Sequence, residues 1–247
     1  MAKADSAEET ASSMRQASSS GPLSSIIAKA EAGESLATLT SILNGAEPEL
    51  IAPEEVCTVL YSFLLHIRKR LDSTEQQHLW PFANRLIQSD TGQAESIERT
   101  CRIADWAIRE VAPRALQETG YSAEATELFE LEAFADLRTA RLVCGAIEVV
   151  GGSIQARAPG TAAATKTVNA ARETARCASY ICFRKPRETA SDFERLFPHW
   201  AAGVCYAALN TVRRAESAGV SRHSLLEMQL SLLDQLCPDL QLIGRLT

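Results

Sequence analysis

Apolar residues in this chain fall three and four positions apart over most of its length, and hardly anywhere two apart. Ile97, Cys101, Ala104, Ile108, Val111 and Ala115 follow that step, and Ala164, Val168, Ala171, Ala175, Ala178 and Cys182 follow it again. On an α-helix such positions form one stripe, which needs a facing surface to bury it. The chain therefore reads as all-α: a multi-helix antiparallel bundle or helical array. At 247 residues it can close a core without disulfides or a structural metal.

Punctuation divides the stripes. Residues 1–21, rich in Ser and Ala and closed by Gly21-Pro22, read as a disordered tail. Residues 22–90 read as an N-terminal helical subdomain, with short helices at 22–32 and 35–44 and a stronger one from Pro53 through Leu60, Phe63, Ile67 and Leu71. Ser73 and Gln76 form a capping-box pattern for a following helix. Residues 91–247 read as the main helical bundle. Within it Pro113 should disturb one helix, Gly120 and Gly219 should stop others, and Gly151-Gly152 should end the helix that Asp136 caps. A Ser191–Glu194 capping box precedes Pro198, which should restart a long helix. Ser221 or Ser224 starts the last one.

Charge and cysteine usage narrow the function classes. A net charge of −6 opposes broad nucleic-acid binding, which needs a basic field. No apolar run reaches the length of a membrane helix. Cys57, Cys101, Cys144, Cys177, Cys182, Cys205 and Cys237 are scattered, without CxxC pairs, and fit reduced core thiols in a cytoplasmic protein. No phosphate loop, GxSxG, HExxH or zinc-finger spacing is present, so no cofactor and no metal is expected. Glu75 and His78 make an ExxH pair, but di-iron bundles use two such copies and this chain has one.

The remaining candidates are polar or aromatic residues that could line a binding face. His199 and Trp200 sit where Pro198 should open a helix, and Arg195 lies four positions upstream. A helix N-terminus would lower the basicity of an imidazole there. Asp105, with Arg138 and Arg141 one turn apart, could form an ion-pair network or a partner-facing patch. Lys166, Asn169, Glu173, Arg176 and Tyr180 form a polar stripe opposite the second ladder.

The stretch RIADWAIREVAPRAL (102–116), an acidic helix after it, DLRTAR (136–141), the Ala-rich 161–183 helix and HWAA (199–202) occur in an order similar to that of all-helical, Ala-rich immunity proteins of bacterial polymorphic-toxin systems. The resemblance covers roughly 95–215. It implies a non-enzymatic protein that binds and blocks a partner protein, and it carries over no catalytic residue. An acidic chain would suit a basic partner. Two other readings stay open: a helical enzyme or small-ligand binder with a pocket near His199, and a self-assembling structural component.

Overall fold

Both ladders are helical and both face inward. The computed structural model describes residues 57–79, Phe82, Arg85, 92–157, 162–184, Arg187 and 189–237. The first ladder is buried from Cys101 to Ala115 with Ile97 partly buried; the second is buried from Ala164 to Ala178 with Cys182 partly buried. Among the described residues every regular element is a helix. They are α1 (Thr58–Arg68), α2 (Gln93–Trp106), α3 (Ala112–Glu118), α4 (Ser122–Phe129), α5 (Leu137–Arg157), α6 (Ala162–Arg184), α7 (Ala190–Ser217) and α8 (Arg222–Leu236). A short 3-10 turn (Glu75–Leu79) follows α1, and a π turn (Ala107–Val111) joins α2 to α3. The expected tail at 1–21 and the short helices at 22–32 and 35–44 lie outside the described residues. The described residues all belong to one unit, which begins at Cys57. None of the described helices is long and apolar enough to cross a membrane.

Helix α7 is the central member: it packs against α1, α2, α3, α6 and α8. Its contact with α6 uses small residues, since Ala171, Ala175, Ala178, Ala201, Ala208 and Ala215 are all buried. Facing Ala surfaces let the backbones come close. Where they meet, the hydroxyls of Thr174 and Thr211 lie 3.3 Å apart, and each also bonds the carbonyl four residues back. Helix α1, which falls inside the 22–90 stretch, packs on α7 and α2, and Phe63 meets Trp106 edge-on at 6.0 Å. Arg70 extends that contact, donating to the Leu209 carbonyl and to Glu216.

Several boundaries differ in detail from expectation. Pro113 disturbs its helix, as the sequence predicts, but does not end it. The turn before it widens, and the Ala112 N–H bonds the Ala107 carbonyl five residues back. That extra residue absorbs the conflict between a proline ring and the carbonyl four positions earlier. Pro198 does not restart a helix either; α7 runs through it from Ala190 to Ser217, and Thr189, not Ser191, caps it by accepting from the Asp192 N–H. Gly151 and Gly152 lie inside α5 rather than after it. At Gly151 a Cβ would stand 2.9 Å from the Arg172 guanidinium and 3.4 Å from Val168, so glycine here accommodates the approach of α6. The capping box after α1 is shifted by one residue: Asp72 accepts from the Glu75 N–H while Glu75 accepts from the Asp72 N–H.

Other boundaries agree with the sequence. Gly120 and Gly219 take positive φ, where glycine is the least strained residue. Asp136 caps α5 by accepting from the Thr139 N–H, and Ser221 caps α8 by accepting from the Ser224 N–H.

Candidate functional site

Two concave surfaces contain the polar and aromatic residues singled out from the sequence. The first lies beside the π turn, between the α2–α3 segment and α4. It is a cleft of about 370 Å³ lined by Asp105, Arg109, Glu110, Arg114, Gln117 and the exposed Phe129, among others. Its charges are largely engaged with each other and with the backbone. Asp105 accepts from Arg109 at 3.0 Å and from the Phe134 N–H at 3.1 Å, which fastens the loop after α4 to α2. Arg114 donates to Ser224 at 3.1 Å. Burial, and then the neighbouring Asp105 carboxylate, push the Glu110 carboxyl above its ordinary range, against the opposing pull of Arg114 and Arg109.

The second surface is an aromatic shelf where α6 and α7 lie side by side. Tyr180 meets Trp200 edge-on at 5.4 Å, Trp200 meets Phe193 at 5.5 Å, and Phe193 stacks on Phe197 at 5.7 Å. Helical spacing accounts for this: Phe193, Phe197 and Trp200 are four and three apart on α7 and fall on one face. Two cations sit over rings at its edge, Arg184 over Tyr180 at 4.8 Å and Arg187 over Phe183 at 3.9 Å. The shallow groove in the shelf, about 260 Å³, is lined by Arg176, Cys177, Tyr180, His199, Trp200 and Gly203. Phe193 and Phe197 are buried, Trp200 is partly buried, and Tyr180 is 38% exposed. The shelf thus grades from a rigid aromatic base to an accessible ring.

The chemistry available on the shelf is limited. Burial, and then the Glu173 carboxylate, push the Cys177 thiol up to about 11, so at neutral pH it holds its proton and is no nucleophile. His199 is exposed and lies inside α7, not at a helix start. Arg195 pairs with Asp192 at 3.6 Å, not with His199. Of the other candidates, Arg138 pairs with Glu132 at 2.6 Å and Arg141 is exposed on α5. Asp105 pairs with neither of them. The structure therefore brings together His199 and Trp200 with Arg176 and Tyr180, and leaves Asp105, Arg138, Arg141 and Arg195 in local ion pairs or solvent. Phe193 and Gly203 were not singled out in the sequence, and Cys177 was read there as a core thiol, whereas it is only partly buried and lines the groove; the 193/197/200 spacing was the available signal for the rings.

Glu75, from the ExxH pair, serves the capping box and pairs with Arg222 at 2.6 Å. Among the described residues no group of three His, Cys, Asp or Glu side chains is placed to hold a metal ion. Comparison with family models, with curated proteins and with solved structures yields no match.

Proposed function

We propose that this chain is a non-enzymatic protein-interaction module, immunity-like in that it works by binding and blocking a partner protein. The observation that carries the reading is the aromatic shelf of α6 and α7. Trp, Tyr and Arg are the residues that dominate binding energy at protein interfaces, and here they stand in one shallow, mostly apolar groove with rigid support behind it. His199, the candidate acid–base group, is exposed and the neighbouring thiol is inert, which favours recognition over catalysis. The net charge of −6 favours a basic partner by long-range steering. At the shelf itself, Arg184 and Arg187 favour an apolar segment carrying carboxylates.

A small-ligand function has its best footing in the cleft beside the π turn, which is polar and concave, rather than at His199. The two readings separate experimentally. A protein captured in stoichiometric amount from the native host is purified, and its affinity is measured against the wild type and against Tyr180→Ala, Arg184→Glu and Arg109→Ala. Truncating Tyr180 at a shelf interface is expected to weaken binding about 10-fold or more, equivalent to about 1.4 kcal/mol, with circular dichroism unchanged. Loss with Arg109→Ala and none with Tyr180→Ala would transfer the function to the cleft. Recovery of a small metabolite with no stoichiometric protein would end the interaction reading.

A further inference from the structure

The cleft beside the π turn has one charge of each sign left over. Asp105 and Arg109 offset each other at 3.0 Å, and Asp105 has a second donor in the Phe134 N–H. Glu110, inside the π turn, has no such partner. Among the described residues neither a cation nor a hydrogen-bond donor bonds its carboxylate, although Arg114 and Arg109 stand near enough to pull on it. Arg114 bonds only a neutral hydroxyl among the described residues, that of Ser224, and so keeps its charge. Glu110 and Arg114 are four positions apart and Gln117 follows by three, which puts them on one side of the helical segment, exposed at the mouth of the cleft. On α4 the cleft has apolar surface: buried Ala125 and, one turn on, the Phe129 ring, 60% exposed. The Phe129 carbonyl accepts from Arg109 at 3.4 Å, which ties that wall to the π turn. At about 370 Å³ the cleft lies within the range of small-ligand sites, roughly 300–1,000 Å³.

We propose that this cleft binds a free α-amino acid with an apolar side chain, its ammonium on Glu110, its carboxylate on Arg114 and its side chain on Phe129. The ligand class follows from the signs and spacing of the unpaired groups. Residues one helical turn apart have Cβ atoms about 5–6 Å apart. Two charged groups borne on a single carbon fit between such anchors, one facing each. An ammonium has three donors for the Glu110 carboxylate, and a guanidinium fork meets a carboxylate with two parallel bonds. The Gln117 amide, one turn beyond Arg114, can donate to the same carboxylate. A simple amine would leave Arg114 unanswered, and a simple acid would leave Glu110 unanswered. A dicarboxylate would set one of its charges against Glu110. Arg109 contributes by holding Asp105, which would otherwise compete for the ammonium. The site does not depend on the aromatic shelf, so a partner protein on α6 and α7 and an amino acid here are separate occupancies. Because both charged anchors are exposed, a dissociation constant on the order of 10 μM–1 mM is expected.

The test is isothermal titration of the full-length chain with L-phenylalanine and L-leucine, alongside phenethylamine and 3-phenylpropionate, each of which lacks one charge. The two amino acids are expected to bind, and the two singly charged analogues to bind about 10-fold or more weakly than phenylalanine. Glu110→Gln and Arg114→Gln are each expected to weaken amino-acid binding about 10-fold or more, with far-ultraviolet circular dichroism unchanged. Phe129→Ala weakens it as well, whereas Tyr180→Ala on the shelf leaves it as it was, which separates this site from the shelf. Failure of every protein amino acid to bind at about 10 mM overturns the proposal. So does binding of polar or charged amino acids alone, or a singly charged analogue that binds as tightly as phenylalanine. Amino-acid affinity that survives Glu110→Gln or Arg114→Gln overturns it too.

Discussion

Glu124 is a charged residue that the fold buries, at 3% exposure, and its surroundings explain how it is kept there. Burial alone would raise its carboxyl, but the Ser153 hydroxyl at 2.7 Å and the Arg157 guanidinium outweigh that and hold it below the ordinary carboxylate range. Because the folded value lies below the unfolded one, the contribution is complete above the unfolded carboxylate range, and falling pH removes it as the folded group protonates. Glu124→Gln is expected to lower the unfolding free energy by roughly 1–3 kcal/mol at pH 7. That difference should shrink once the pH falls below about 4, as followed by urea unfolding at a series of pH values. A difference that is constant with pH would mean the charge contributes nothing. Cys177 gives a second residue-scale test. With its thiol at about 11, alkylation in the native state at pH 8 should run at least ~10-fold slower than in the denatured chain, read by mass spectrometry of the labelled peptide.

At the scale of single helices, the two prolines and the glycines decide what the α-helical pattern leaves open. A proline inside a regular helix costs about 3 kcal/mol, so its removal would ordinarily stabilise by a similar amount. Pro113 sits behind a π turn that has already relieved the clash, and buried Ile108 and Val111 before it and Ala115 and Leu116 after it fix the register on both sides. Pro113→Ala is therefore expected to change stability by less than about 1 kcal/mol in chemical denaturation. Gly152→Ala should instead stabilise by about 0.5–1 kcal/mol, since its Cβ would enter open space. The stripes themselves were legible in the sequence because burial enforces them: Phe63, Ile67, Ala104 and Ala171 are all inside, as their spacing demands. Gly120, Gly219, Asp136 and Ser221 were legible as well, because their local chemistry depends on adjacent residues alone. Pro198 and Gly151-Gly152 were misread as breaks, since tertiary packing held α7 and α5 straight through residues that disfavour helix in isolation. The shelf was half legible. Trp200, His199, Arg176 and Tyr180 were marked on separate helices, but nothing local to either helix says that their faces meet. The cleft was fainter still, because it depends on an extra residue in a turn that no periodicity announces.

Across the whole molecule, α7 links the parts. Its 28 residues span about 42 Å, and five other helices lean on it. Stability should therefore be shared, with α1 melting together with the remainder and not ahead of it. Phe63 is fully buried between α1 and Trp106 of α2, so Phe63→Ala is expected to cost about 3–5 kcal/mol. Calorimetry should show one transition moved to lower temperature; a separate early transition would mean that α1 is an independent unit. The amides of α7 should be the last to exchange in hydrogen-exchange experiments. That central helix is also synthesised late. A ribosome has made more than a hundred residues after α1 before Ala190 is joined, and until α7 emerges the inward faces of α1, α2 and α6 lack the surface they close on. Nascent chains arrested before that point should remain open to proteases and to holding chaperones, so the production of this protein is governed by how long its early helices wait.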